Sequence, residues 1–137
     1  MRLYQFYAFS LLEILITLSV LGVLVSISYP SLQSLLQSSN RKEATLLLTK
    51  IQYQQEQWRS HHQNYALLSE LKVPSTSENN LYQIKISLIE DDNYLITAEP
   101  INGQLGESCG TYAMDKYGPV EKSSSGKIYA NLDCWQY

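Results

Sequence analysis

The sequence predicts an α+β, two-layer fold: a long N-terminal α-helix packed on a small antiparallel β-sheet of about four strands. Three observations predict it. An unbroken apolar run near the start passes into an amphipathic stretch of helical period. The second half alternates apolar and polar residues with a period of two. Two cysteines, Cys109 and Cys134, bracket the last part of that half. At 137 residues and a net charge of −3, the chain has the size of one ordinary domain. Hydrophobic residues make up 45% and charged residues only 17%, which excludes a disordered polyampholyte and argues against a strongly basic, generic nucleic-acid binder. The charge is unevenly spread. Between Leu3 and Asn40 the only charged side chain is Glu13, and the remaining charges begin at Arg41.

The apolar run covers residues 9–29. Its 21 residues would form a helix about 30 Å long, enough to cross a bilayer. Its Ser and Thr hydroxyls can bond back to helix carbonyls, and Pro30 stands at the far end, where a kink is tolerated. A secretory signal peptide is the competing reading. It needs a basic start, a core of about 7–15 residues and a small-x-small cut. Here Arg2 alone is basic, the core is longer, and no such cut follows Tyr29, so a retained anchor fits better. Arg2 on one side and Arg41 and Lys42 on the other do not settle orientation. A Cys109–Cys134 disulfide belongs outside the cytosol, which places the C-terminal part outside and residues 1–8 inside. Glu13 is the anomaly: a lone carboxylate costs about 2.5–3.5 kcal/mol at a bilayer centre and less near an interface. It is either a tolerated interfacial group or the partner of a positive charge on another chain; we expect the second.

Helical periodicity continues beyond Pro30. Leu32, Leu35 and Leu36 lead into a stripe of Ala44, Leu47, Leu48, Ile51 and Trp58, with Gln55 in the same rhythm. Arg41, Lys42, Thr45, Thr49, Lys50 and Gln52 fall mostly off the stripe. A helix from about Phe9 to about His61 would be roughly 80 Å long. That length suits a spine whose first half lies in a membrane or fibre core and whose second half carries a sheet. His61 and His62 are adjacent, whereas ligand pairs on a helix sit three or four apart; they are expected to be a frayed helix end, not a metal site.

The soluble part begins with a connection at Asn64–Leu68 and a polar loop at 74–80. Tyr82, Ile84, Ile86 and Leu88 alternate with Gln83, Lys85 and Ser87, predicting a first strand. Glu90-Asp91-Asp92-Asn93 makes a turn. Tyr94, Ile96 and Ala98 predict a second strand that stops at Pro100. A third strand is expected over about Gly110–Asp115, a turn at Tyr117-Gly118-Pro119, and a short fourth strand including Ile128-Tyr129-Ala130. The two cysteines would close a loop of about 26 residues, with a chain-entropy contribution of roughly 3–4 kcal/mol before strain. A nucleophilic cysteine would need a basic neighbour, and no His follows Cys109. The disulfide would pin the tail to the start of the third strand, with Trp135 partly buried beside it.

Ala8-Phe9-Ser10-Leu11-Leu12-Glu13, followed by an apolar helix, resembles the class III signal of type IV pilins and pseudopilins. Gly22 and Pro30 fall where many pilins carry a helix-loosening Gly and Pro. The resemblance implies that a prepilin peptidase cuts between Ala8 and Phe9 and that the Phe9 amine is methylated. It also implies that Glu13 pairs with the Phe9 amine of a neighbouring subunit and sets axial register, since two desolvated opposite charges relieve each other's burial penalty. The family usually has Gly before the cut; this chain has Ala8. Its leader, residues 1–8, is poor in Lys and Arg. The head resembles minor pilins through Arg41-Lys42-Glu43-Ala44, Gln55-Glu56-Gln57-Trp58, Asn64-Tyr65, Ala98-Glu99-Pro100, Cys109-Gly110-Thr111, Gly118 and Cys134-Trp135, and more distantly resembles competence-type DNA receptors.

The pilin fold is therefore expected, with residues 1–8 as leader, 9–29 as transmembrane or fibre-core helix and 30–137 as periplasmic or extracellular head. Implied partners are other pilins through the N-terminal helix, the prepilin peptidase and the inner-membrane assembly platform. The implied function is non-enzymatic: pilus assembly, motility, adhesion or DNA uptake, with no cofactor and no metal. The implied location is the bacterial inner membrane, then the fibre. Two other readings compete. A DNA receptor would need a basic stripe with aromatics, yet from Asn64 to Tyr137 five Lys face ten Asp and Glu, a net −5 that repels phosphate. Lys116, Lys122 and Lys127, around Ser123-Ser124-Ser125, remain a local patch. A type II secretion pseudopilin shares the N-terminal signal. Its calcium loop finds only Asp91-Asp92-Asn93 here, few ligands for an ion that takes six to eight. An enzyme has little support, because Gly-x-Ser-x-Gly, Walker and His-Glu-x-x-His patterns are all lacking.

Overall fold

In the computed structural model, residues 10–89 and 92–136 are described. Phe9, and the whole leader with Ala8, lie outside them, as do Glu90, Asp91 and Tyr137. The chain divides into two units, one ending at Leu35 and the other beginning at Leu36. A single helix, α1 (Leu11–Arg59), contributes to both.

In the first unit α1 presents apolar side chains such as Leu12, Ile16, Val20 and Leu24 to the exterior. An uncovered surface of that kind is suited to lipid or to other apolar helices. Its hydroxyls bond back to the backbone as expected. Thr17 Oγ1 donates to the Ile14 carbonyl, Ser19 Oγ to Leu15 and Ser26 Oγ to Gly22, each at 2.8 Å. Those bonds remove the cost of a bare hydroxyl in an apolar medium. Pro30 lies inside the helix. Lacking an N–H, it deletes one rung of the helical ladder.

The second unit is the two-layer head. Four antiparallel strands lie in chain order: β1 (Tyr82–Ile89), β2 (Asn93–Pro100), β3 (Tyr112–Asp115) and β4 (Gly118–Pro119). The register pairs Ile84 with Ala98, Ile86 with Ile96, and Ile96 with Met114. That pairing sets the apolar alternates of β1, β2 and β3 on one face. They meet Ala44, Leu48 and Ile51 of α1 in one core with Tyr82, Tyr94 and Tyr112. The tyrosine rings meet edge to face: Tyr82 on Tyr112 at 6.1 Å and Tyr65 on Tyr94 at 4.7 Å between centroids. Burial raises the pKa of Tyr94, and nearby Glu56 adds to the effect. Gln55 is wholly buried, yet both ends of its amide are satisfied by the backbone of Ala66. That exchange fixes the exit from α1.

Four sequence expectations need correction. The fourth strand is Gly118–Pro119, the segment read as a turn, and not Ile128–Ala130. The alternation at 128–130 reports burial, since Tyr129 and Ala130 are inside. Their N–H groups bond to Glu121 and Thr111 carbonyls, outside the four-strand ladder, and Ile128 makes only an isolated bridge to Lys122. The third strand begins at Tyr112 rather than Gly110, because Gly110 adopts φ +65° and cannot continue a ladder. Thr45, expected off the stripe, is buried, and its hydroxyl bonds to the Lys42 carbonyl at 3.2 Å. Leu88 follows the inward alternation but lies 47% exposed, on the edge strand β1.

Candidate functional site

Glu13 occupies the first turn of α1 and is exposed; its backbone N–H bonds to the Ser10 carbonyl at 3.0 Å. A carboxylate there complements the positive end of the helix dipole. Its expected partner, the Phe9 amine of another chain, lies outside the described residues.

Further along α1 a polar clamp joins the helix to the loop that precedes β3. Arg41 Nε donates to Glu107 Oε2 at 2.8 Å, and Arg41 Nη2 donates to Ser108 Oγ at 2.8 Å. The Cys109 N–H donates to the same Glu107 oxygen at 3.2 Å. Gln104 is fully buried; its Nε2 donates to the Gln37 carbonyl and its Oε1 accepts from Asn40. The Glu107 side chain is fully buried as well. Such an ion pair is held mainly because losing one partner strands the other in low dielectric. Sequence reading missed this clamp. Its one signal was Glu107 and Gln104 set among Gly103, Gly106 and Gly110, a spacing that reads as loop.

The clamp leads directly into the Cys109–Cys134 disulfide. Tyr112 Oη donates to the Cys134 carbonyl, and Trp135 meets Tyr112 edge to face at 5.4 Å. The tail is thus docked on the start of β3, with Trp135 partly buried, as the sequence predicts.

Two carboxylates tie loops of the head to α1. Glu43 of α1 accepts from the backbone N–H and the side-chain amide of Asn79 at 3.0 and 2.8 Å. Burial acts to raise its pKa, but the hydrogen bonds from Ser77 and Asn79 outweigh it and hold the carboxyl below its ordinary 4.5. A depressed carboxyl stabilises the fold above its unfolded value and loses that contribution as pH falls through the folded value. The melting temperature of Glu43→Ala should therefore lie below wild type at pH 7, with the gap narrowing as pH falls below the ordinary 4.5. A gap that stays constant down to pH 3 would rule out this coupling. At the other end Asp92 pairs with Arg59 at 2.8 Å, and Arg59 also donates to the His62 carbonyl. Asp92 therefore ties the β1–β2 turn to the end of α1. Asn93 Oδ1 is engaged too, accepting from the N–H groups of Tyr94 and Lys116. Two of the three groups considered for calcium hold the turn together instead.

The histidines sit just past the end of α1. His62 stacks on Trp58 at 3.8 Å and its Nδ1 is 3.0 Å from the Trp58 carbonyl. Among the described residues no three His, Cys, Asp or Glu side chains gather as a metal site.

The three lysines considered for phosphate lie on the segment after β3. Lys116 Nζ lies 5.1 Å from the Tyr117 ring centroid and donates to the Asp92 carbonyl. Lys127 Nζ lies 5.5 Å from the Tyr129 centroid. Lys122 and Lys127 are exposed. The acids of this segment are turned to structural work. Asp115 accepts backbone N–H groups of Tyr117 and Gly118, and Glu121 accepts the N–H of Leu132. Asp115 and Glu121 thus spend carboxylate oxygens on backbone N–H groups, while Tyr117, Lys122 and Lys127 stay exposed.

A spine helix that carries a four-strand meander with a disulfide-closed tail is the architecture that the N-terminal signal led us to expect. A protein-family model described as "Type IV minor pilin ComP, DNA uptake sequence receptor" matches residues 30–113, more than half of the chain. The chain belongs to this family of type IV minor pilins. No curated protein matches it. Within this minor pilin, α1 is long and apolar enough to cross a membrane, which fits the membrane-anchored start of a pilin's life. The matched span covers the second half of α1, the clamp, β1, β2 and the start of β3. The Lys116–Lys127 segment lies beyond it.

Proposed function

We propose that this minor pilin is a non-enzymatic fibre subunit whose head binds DNA for uptake. The support for DNA is the family match, whose description names a DNA uptake sequence receptor. The net −5 of the head argues against a uniform basic face, but charge matters where it is exposed. Between Lys116 and Ala130 three lysines face one acid, Glu121, whose carboxylate caps Leu132. Lysine and aromatic side chains together form the footprint of a nucleic-acid surface. In this reading residues 1–8 are removed by the prepilin peptidase after Ala8 and Phe9 is methylated. Residues 9–29 anchor the subunit once across the inner membrane, with the head in the periplasm, and then pack in the fibre core. Other pilins and the assembly platform are the protein partners. Glu13 and the Phe9 amine set register, as the N-terminal resemblance implies.

The test is salt-dependent binding of duplex DNA by the full chain in detergent. Each phosphate contact contributes about 0.9 to the slope of log K against log salt. Lys122→Ala and Lys127→Ala should each weaken binding and flatten that slope by about one unit. Wild-type protein that fails to bind duplex at low salt would end the DNA reading and leave the pilin role standing.

A further inference from the structure

The turn between β3 and β4 is more tightly held than a solvent-facing turn requires. Asp115 Oδ1 accepts the Tyr117 N–H at 2.7 Å and the Gly118 N–H at 3.1 Å. Asn93 Oδ1 takes the Lys116 N–H at 3.3 Å, and Asn93 Nδ2 donates to Asp115 Oδ2. From the helix layer, Gln52 Nε2 donates to the Asp115 carbonyl at 3.0 Å. Gly118 completes the turn at φ +127°, a conformation other residues rarely adopt. What this arrangement holds out is Tyr117, 83% exposed and the most exposed of the large hydrophobic side chains described. Its ring carries the Lys116 ammonium near one face. A large aromatic with two χ angles, fixed at its backbone and left in water, contributes nothing to the core. It offers a stiff apolar surface at low entropy cost to a ligand.

Its neighbourhood selects the ligand class. A ring beside an ammonium, on a stretch where lysines outnumber acids, suits the combination of phosphate and base. We propose that Tyr117 reads base identity for the bound DNA, and that Asp115 is its positioning residue. Lysines contact phosphates, which are the same at every step, so they supply affinity without sequence information. A ring that meets base edges or a thymine methyl group distinguishes one step from another. Asp115 acts only by fixing where that ring stands. This assignment rests on the DNA reading above, and Tyr117 lies outside the residues matched by the family model.

The experiment selects bound duplexes from a random-sequence pool with the full chain in detergent, then compares binding of the selected and unselected duplexes. Wild type should show a preference. Tyr117→Ala should lose about tenfold of the preference for selected over unselected duplex, the scale of one base-pair contact read correctly or not. Tyr117→Phe, which keeps the ring, should retain it. Asp115→Ala should lose the preference with Tyr117 still present, and Asp115→Asn, which still offers an acceptor oxygen to the turn, should restore it. Lys122→Ala should weaken both duplexes equally. A wild-type preference that survives Tyr117→Ala would overturn the proposal and leave the DNA function intact. A wild type that binds no DNA would remove both.

Discussion

Replacing both cysteines with alanine should lower the stability of the head by about 3–4 kcal/mol, the chain-entropy value for a closed loop of about 26 residues. For a head of this size that corresponds to a melting temperature lower by roughly 15–25 °C. The structure concentrates the consequence. The disulfide joins Cys109, next to the buried Glu107 of the clamp, to the short 3-10 turn Leu132–Trp135. No ladder of strand hydrogen bonds ties that turn to the sheet; Trp135 against Tyr112, one bond from Tyr112 Oη to the Cys134 carbonyl and the Glu121 carboxylate on the Leu132 N–H are its main anchors. Those contacts are local and individually worth about 1 kcal/mol. Without the covalent link the unfolded chain regains its loop entropy and the tail can leave the sheet. The check is thermal unfolding of the double variant and of reduced wild type, followed by tryptophan fluorescence. Both should melt early, and Trp135 emission should shift to the red before the main transition. A melting temperature within 5 °C of wild type would show that packing alone holds the tail.

The parts of this molecule that were legible in the sequence obey short-range rules. Leu and Ile at three- and four-residue steps announced α1, and Tyr82, Ile84, Ile86 and Tyr94, Ile96, Ala98 announced two strands, because periodicity is a local consequence of having one buried face. What stayed hidden depends on partners far apart in the chain. Arg41 and Glu107 are 66 residues apart, and Gln104 reaches the Gln37 carbonyl across 67. Neither pair carries a spacing signal. Thr45 looked like a surface residue because polarity was read from the side chain, whereas its hydroxyl is satisfied by its own helix and its methyl can be buried. The Gly118–Pro119 strand was hidden because both residues are turn formers; the Asp115 carboxylate closes the turn ahead of them, and they pair with Met114 and Asp115. At the candidate sites the division is similar. The N-terminal motif and the cysteines were plain in the sequence. The significance of Tyr117 was not, since exposure is a property of the fold.

Glu13→Ala should leave processing intact and cut incorporation into fibres by about two orders of magnitude. In the assembled state proposed above, the Glu13 carboxylate leaves water for a core built of apolar helices. An unpaired charge in such a core, here the neighbour's Phe9 amine once Glu13 is gone, costs about 2.5–3.5 kcal/mol, and at about 1.4 kcal/mol per tenfold this approaches a hundredfold in an assembly equilibrium. The pairing with the Phe9 amine of a neighbour would recover that penalty only at the correct axial offset, because Coulomb attraction between desolvated charges falls steeply once they separate. Alanine removes the carboxylate and the register together, leaving the neighbouring amine as the uncompensated charge. Glu13→Gln should behave like alanine, since it keeps size and hydrogen bonding but not charge. Glu13→Asp should retain part of the wild-type level, with its carboxylate one methylene short. The proposed cleavage site precedes Glu13 by four residues, so mass spectrometry of membrane fractions should find the mature N-terminus at Phe9 in every variant. Sheared fibres, probed for this subunit, give the incorporated fraction. Wild-type levels of Glu13→Ala in those fibres would mean that apolar packing along residues 9–29 is sufficient and that the carboxylate serves something other than register.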